Sequence, residues 1–81
     1  MNKRKKELSD AADIIAKLQY GVDTGQIDEE TAAEALVAQY ILLKLVPPSP
    51  VEAKDFQFNW NEIDELDEMI EERLDLYKQK W

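Results

Sequence analysis

The chain has 81 residues and a net charge of −8, and it contains neither His nor Cys. A chain of this length builds one small core, and without Cys it has no disulfide, thiolate metal ligand or Cys nucleophile. Without His it lacks the usual general base and the commonest transition-metal ligand. We therefore expect a single helical domain over residues 1–81 that is not an enzyme and holds no cofactor or metal.

The N-terminus is basic, because residues 3–6 read Lys-Arg-Lys-Lys. Residues 1–6 are predicted to form a flexible basic terminus. The charged segment that follows, residues 7–10, does not fit the apolar core of a signal peptide. The most apolar stretch, Leu36 to Val46, has 11 residues and is too short to span a bilayer. We expect a cytoplasmic protein that does not bind membranes.

The first helix is predicted from about Glu7 to Tyr20. Apolar residues recur at steps of three and four and form one stripe, which comprises Leu8, Ala11, Ile15, Leu18 and Val22. Gly21 and Gly25 indicate a turn after this helix. A turn this short predicts that the second helix folds back antiparallel to the first.

The second helix is predicted to start near Asp28, a good N-cap, and to end by Val46, because Pro47 and Pro48 cannot continue it. In its second half, from Leu36 to Val46, nine of 11 residues are apolar and surround the helix. Such a helix is either buried as the centre of the domain or covered by a partner or a second copy of the chain. The candidate anchors for self-association or partner binding are Tyr40, Ile41, Leu43, Leu45 and Val46.

The connector, residues 47–58, is predicted to be extended, because Pro47-Pro48-Ser49-Pro50 is stiff. Phe56, Phe58 and Trp60 then alternate with polar residues, which is strand spacing, but a lone strand has no sheet to join. We expect a strap that presses these aromatics onto the helical hairpin; the alternative is an exposed binding strap. Trp81 either docks near Tyr77 or is available to a partner.

The third helix is predicted to start at Asn59 or Asn61 and to run to about Lys80. Asn59 and Glu62 have the spacing of a capping box. The apolar face of this helix comprises Ile63, Leu66, Met69, Ile70, Leu74 and Tyr77.

The opposite face of the third helix is strongly acidic. We call it the acidic ridge, and it comprises Asp64, Glu65, Asp67, Glu68, Glu71, Glu72 and Asp75. Like charges four residues apart each cost a few tenths of a kcal/mol, so the ridge works against the helix that carries it. It is either a solvated face or a docking surface for a basic partner. Carboxylates about 6 Å apart along the axis resemble the phosphate spacing of nucleic acid, so mimicry of nucleic acid is a further hypothesis.

These features predict an all-α fold: an antiparallel helical hairpin, a Pro-rich extended strap and a long acidic C-terminal helix. The composition looks like that of many accessory proteins encoded by phages or mobile elements. The leading hypothesis is a protein that docks on a partner with a basic surface and regulates or inhibits it. The alternatives are a homo-oligomeric structural or assembly subunit and a nucleic-acid mimic. No direct binding of nucleic acid is expected, because an acidic surface repels it.

Overall fold

The computed structural model describes residues 2–49 and 52–79. These residues form three α-helices, α1 (Lys3–Asp23), α2 (Glu29–Leu42) and α3 (Trp60–Gln79), and a short 3-10 helix (Glu52–Asp55). No strand occurs in the two ranges. The predicted all-α fold with three helices is confirmed. In the described part of the chain, no helix has both the length and the apolar character needed to cross a bilayer.

The basic N-terminal segment is helical, in contrast to the prediction that residues 1–6 form a flexible terminus. The helix begins at Lys3 because the Asn2 side chain caps it, accepting a hydrogen bond of 2.9 Å from the backbone N–H of Arg4. The Arg4 side chain donates to both Glu62 carboxylate oxygens, at 2.6 and 3.3 Å, and to the carbonyl of Leu43 at 2.6 Å. Arg4 therefore ties the start of α1 to α3 and to the end of α2. Met1 lies outside the described residues.

The end of α1 lies three residues beyond the predicted Tyr20, at Asp23. Gly25 adopts φ 75° and reverses the chain, while the N–H of Gln26 donates to the carbonyl of Gly21 at 2.8 Å. This pattern is a Schellman motif, in which a residue with positive φ ends the helix. Gly25 thus has the predicted role in the turn, whereas Gly21 belongs to the helix.

The end of α2 differs most from the prediction, because the helix stops at Leu42 rather than Val46. Lys44 adopts φ 62°, and the N–H of Leu45 donates to the carbonyl of Tyr40 at 2.9 Å, which forms a second Schellman motif. The reversal turns Leu43 and Leu45 into the core, where they are 5% and 0% exposed. Burial of two leucines outweighs the strain of a non-glycine residue in the left-handed region.

The start of α3 agrees with the prediction that Asn59 caps it. The Oδ1 of Asn59 accepts from the N–H of Glu62 at 3.2 Å, and its Nδ2 donates to the Glu62 carboxylate at 2.8 Å. The capping-box prediction is confirmed, with the amide of Asn59 in place of its backbone N–H as the donor. The predicted end at Lys80 lies outside the described residues.

The connector is not extended throughout, because residues 52–55 form the 3-10 helix. The turn is local: the N–H of Phe56 donates to the carbonyl of Ala53 at 3.4 Å. Pro50 and Val51 lie outside the described residues.

The core lies along α1, which packs against both other helices. Its members are Leu8, Ala11, Ala12, Ile15, Ala16, Leu43, Leu45, Leu66 and Ile70. No Cα of α2 comes within 8 Å of a Cα of α3, so the helices form an open layer centred on α1. The layer measures 44 × 33 × 16 Å. Because it is thin, much of α2 and α3 stays accessible.

Side-chain contacts give the directions of the helices. Arg4 contacts Glu62, and farther along both helices the Tyr77 hydroxyl donates to Asp13 at 3.3 Å. Residues near the start of α1 contact residues near the start of α3, and later residues of α1 contact later residues of α3. The two helices are therefore parallel. Arg4 also contacts Leu43, just past the end of α2. The start of α1 therefore lies beside the end of α2, as expected if α2 returns along α1.

Candidate functional site

The acidic ridge lies on the solvent side of α3. Six of its seven residues are exposed and Glu65 is half-buried. The described residues contain three ion pairs, Arg4–Glu7, Arg4–Glu62 and Lys17–Asp13, and none of them involves the ridge. The ridge is therefore left without a neutralising partner among the described residues.

Arg73 is the one basic residue within the acidic segment 61–76, and it points away from the ridge. Its guanidinium donates to the Ser9 hydroxyl on α1 at 2.6 Å and to the carbonyl of Met69 at 3.3 Å. Those contacts fix α3 against α1. The cation that could most readily neutralise the ridge is thus committed to holding the fold together.

One ridge residue has a partner on α2. The Tyr40 hydroxyl donates to the Asp67 carboxylate at 3.1 Å. Partial burial, with the nearby negative charge and hydrogen bond of Asp67, raises the pKa of Tyr40 to about 12. The hydroxyl is an uncharged donor, so this hydrogen bond gives the ridge no neutralising positive charge.

Three aromatic side chains at the start of α3 stack on one another. We call Phe56, Phe58 and Trp60 the aromatic ladder. The Phe56 and Phe58 ring centroids are 5.0 Å apart, edge to face, and those of Phe58 and Trp60 are 5.1 Å apart, stacked. None of the three belongs to the core, and Trp60 is 64% exposed. The prediction that the strap presses these aromatics onto the helical hairpin therefore stays a prediction; the contacts that the structure gives for the three rings are with one another.

The ladder adjoins the ridge. Trp60 and Asp64 are four residues apart on α3 and so lie on the same side of the helix. Asp67, Glu71 and Asp75 continue that side at steps of three and four. An exposed indole face next to a row of carboxylates suits a cation, which is attracted both by the ring and by the charge.

The apolar residues of α2 divide into two groups. Leu43 and Leu45 are buried in the core, so their prediction as partner anchors is wrong for this conformation. Tyr40, Ile41 and Val46 are half-buried, and Trp81 lies outside the described residues. Sequence reasoning missed Leu42, which at 73% is the most exposed large apolar side chain among the described residues. It belongs to the predicted apolar run, and only the early end of α2 distinguishes it from Leu43.

A shallow groove runs between α1 and α2. Its volume is about 520 Å³, and its apolar lining includes Leu18, Val22, Ala33, Leu36 and Val37. Glu29 and Glu30 lie at one end. The groove exists because α3 covers a different side of α1, and it holds no set of groups that resembles a catalytic centre.

The described residues contain no group of three or more His, Cys, Asp or Glu side chains placed to hold a metal ion. The ridge carboxylates are spread along α3 rather than gathered around a point. What the arrangement offers chemically is therefore a charged surface with an adjoining aromatic patch. A search of family models, curated sequences and solved structures found no significant match to this chain.

Proposed function

We propose that this protein is a non-enzymatic binding protein that docks on a partner protein with a basic surface and regulates or inhibits it. The contact surface is the acidic ridge together with the exposed end of the aromatic ladder. The observation that carries the proposal is the unneutralised ridge: it has seven acidic residues and forms no ion pair among the described residues.

The energetics of α3 support this assignment. Asp64 and Glu68, Glu68 and Glu72, and Glu71 and Asp75 are like-charged pairs four residues apart, and each costs roughly 0.2–0.5 kcal/mol. A basic partner surface turns that repulsion into attraction. No ion pair between described residues relieves it: Arg73 contacts Ser9 on α1, and Arg4 contacts Glu62.

Trp60 supplies a second kind of contact. An arginine or lysine of the partner that stacks on the exposed indole gains about 0.5–1 kcal/mol, which corresponds to a two- to fivefold change in affinity. Phe58 supports the indole from its other side, with centroids 5.1 Å apart. We therefore expect Trp60→Ala to weaken binding about two- to fivefold, and Trp60→Phe to weaken it less.

The test is affinity capture from the source cells with the immobilised chain, followed by identification of the partner and measurement of its affinity. The double variant Glu68→Lys/Glu72→Lys reverses the centre of the ridge. Its matched control, Asp10→Lys/Asp23→Lys, makes the same change in net charge at two exposed positions on α1. We expect the ridge variant to lose the partner and the control to keep it.

The dependence of partner capture on salt concentration is an independent test of the ridge. Contacts between exposed charges are screened within about 3 Å at 1 M salt, against about 10 Å at 0.1 M. Capture is therefore expected to fall steeply with salt for the native chain. Retention of the partner by the ridge variant, or equal losses in the two double variants, would contradict a role for the ridge.

The same experiment separates general docking from mimicry of nucleic acid. A mimic requires that the captured partner bind DNA or RNA and release it when the chain is added. Competition that persists in Glu68→Lys/Glu72→Lys would contradict mimicry through the ridge.

A further inference from the structure

We propose that the groove between α1 and α2 is a second docking site, and that its occupant is a cationic amphipathic helix of a partner protein. This helix places apolar side chains in the groove and a Lys or Arg beside Glu29 and Glu30. The groove is a different surface from the acidic ridge on α3, so the two proposals can fail independently.

The floor and walls of the groove are apolar and open to solvent. Ala33 and Val37 of α2 line it and are exposed, Val37 at 48%. Leu18 and Val22 of α1 line it as well and are half-buried. Because Ala33 is small and its neighbours are larger, a depression of about 520 Å³ remains between the two helices. A ligand that removes this apolar lining from water gains hydrophobic stabilisation.

The shape of the groove favours a helix as the ligand. Its lining extends along α2 from Glu29 to Val37, which is about 12 Å at 1.5 Å per residue. Apolar residues at positions i, i+3 and i+7 of a helix span about 10.5 Å, so two turns of a partner helix match this length. Both walls are α-helices, which lack the row of free backbone groups that an extended peptide needs. A helical ligand satisfies its own backbone and needs only side-chain contacts.

The charge around the groove identifies the ligand as a cation. Residues 18–43, which include the whole lining, contain five acidic residues and neither Lys nor Arg. The cation next to this range in the chain, Lys17, is paired with Asp13 at 3.2 Å. None of the ion pairs between described residues involves the five acids, and all five are exposed: Asp23, Asp28, Glu29, Glu30 and Glu34.

This charge distribution also separates the candidate ligands. Nucleic acid, an anionic membrane and a second copy carrying −8 are repelled, whereas a basic helix is attracted. The dipole of α2 explains carboxylates in its first turn, where Glu29 and Glu30 lie. It does not explain the lack of any cation from Leu18 to Leu43. An apolar groove with two carboxylates in its lining therefore matches a helix that is apolar on one side and basic on the other.

The test is a titration of the full chain into a fluorescently labelled peptide of Leu and Lys, about 14 residues long and with its leucines on one helical face. A second peptide has Gln in place of Leu, and a third has Glu in place of Lys. At about 0.1 M salt, we expect the first peptide to bind at least about tenfold more tightly than the other two. Circular dichroism should show that the bound peptide is helical.

The variant Ala33→Phe locates the peptide, because its ring fills the groove. Ala38→Phe is the matched control, since Ala38 is also exposed on α2 but is not among the residues that line the groove. We expect Ala33→Phe to raise the dissociation constant more than about tenfold and Ala38→Phe to change it less than about twofold. Helical circular dichroism of the two variants verifies that both fold.

A second pair of variants separates the groove from the ridge. Glu29→Gln/Glu30→Gln removes two charges from the groove, and Glu71→Gln/Glu72→Gln removes two exposed charges from the ridge. The groove variant is expected to weaken peptide binding more than the ridge variant does.

Four results would each overturn the proposal. They are equal binding of the Leu and Gln peptides, equal effects of Ala33→Phe and Ala38→Phe, a larger loss in the ridge variant than in the groove variant, and self-association through the groove. The last is tested by sedimentation of the chain alone, which is expected at 9.4 kDa. Twice that mass, reduced to the single mass by Ala33→Phe, would show that a second copy occupies the groove.

Discussion

Replacing Lys44 with Gly is expected to stabilise the protein. Lys44 holds φ 62° at the end of α2, a conformation that costs a residue with a Cβ roughly 1–2 kcal/mol. Gly adopts it without that cost, but it loses about 0.5–1 kcal/mol through the greater freedom of the unfolded chain. The Lys44 side chain is exposed and contributes little packing. The net gain is therefore about 1 kcal/mol.

Urea unfolding, monitored by circular dichroism, measures this gain. With a slope of about 1 kcal/mol per molar urea, the midpoint should rise by about 1 M. Lys44→Ala is the control, because it removes the charge and keeps the Cβ, so its midpoint should stay near that of the native chain. If Lys44→Gly is no more stable than Lys44→Ala, the left-handed turn is not the source of strain, and the explanation for the early end of α2 is wrong.

Three further changes test other parts of the structure. Gly21→Ala should lower the free energy of unfolding of the native chain by about 1 kcal/mol, because the added Cβ would lie 2.7 Å from the Cγ1 of Ile27. In an Ile27→Ala background the same change should raise it by about 1 kcal/mol, because Ala has a higher helix propensity than Gly. Leu45→Ala should cost about 3 kcal/mol in urea unfolding, because Leu45 is completely buried; a cost below about 1 kcal/mol would contradict its place in the core. The pKa of Tyr40 is raised to about 12, against about 10 for an unfolded tyrosine. Because the unfolded chain loses this proton first, the stability that Tyr40 contributes is complete below about pH 10 and is lost as the pH rises to about 12. Tyr40→Phe should therefore flatten the decline of stability in that range, and an unchanged decline would assign it to other groups.

The start of α1 shows why a pattern in the chain can mislead. Four consecutive cations at a helix N-terminus oppose the helix dipole, and so the sequence predicts a flexible end. In the folded chain the Arg4 side chain reaches Glu62, which lies 58 residues away, and the carbonyl of Leu43. These contacts offset the local penalty. No local pattern reveals them, because they depend on how α1, α2 and α3 pack together.

Part of the candidate site could likewise be predicted from local sequence, and part of it depends on tertiary packing. The acidic ridge is predictable, because carboxylates at helical spacing opposite an apolar face must point to solvent. The outward position of Leu42 and the inward positions of Leu43 and Leu45 are not predictable, because all three belong to one apolar run. The left-handed turn at Lys44 separates them, and it persists because it buries two leucines.

The sequence by itself determined the helical class, the three helices, a start of α3 at Asn59 or Asn61 and the acidic side of α3. Each of these follows from local spacing, capping chemistry or turn residues, which act within a few positions along the chain. Only the tertiary structure decided that α1 lies between the other helices, that Arg73 turns away from the ridge, and that the aromatic ladder stacks on itself. Those outcomes depend on which surfaces meet, and that is set by burial and hydrogen bonding between residues far apart in the chain.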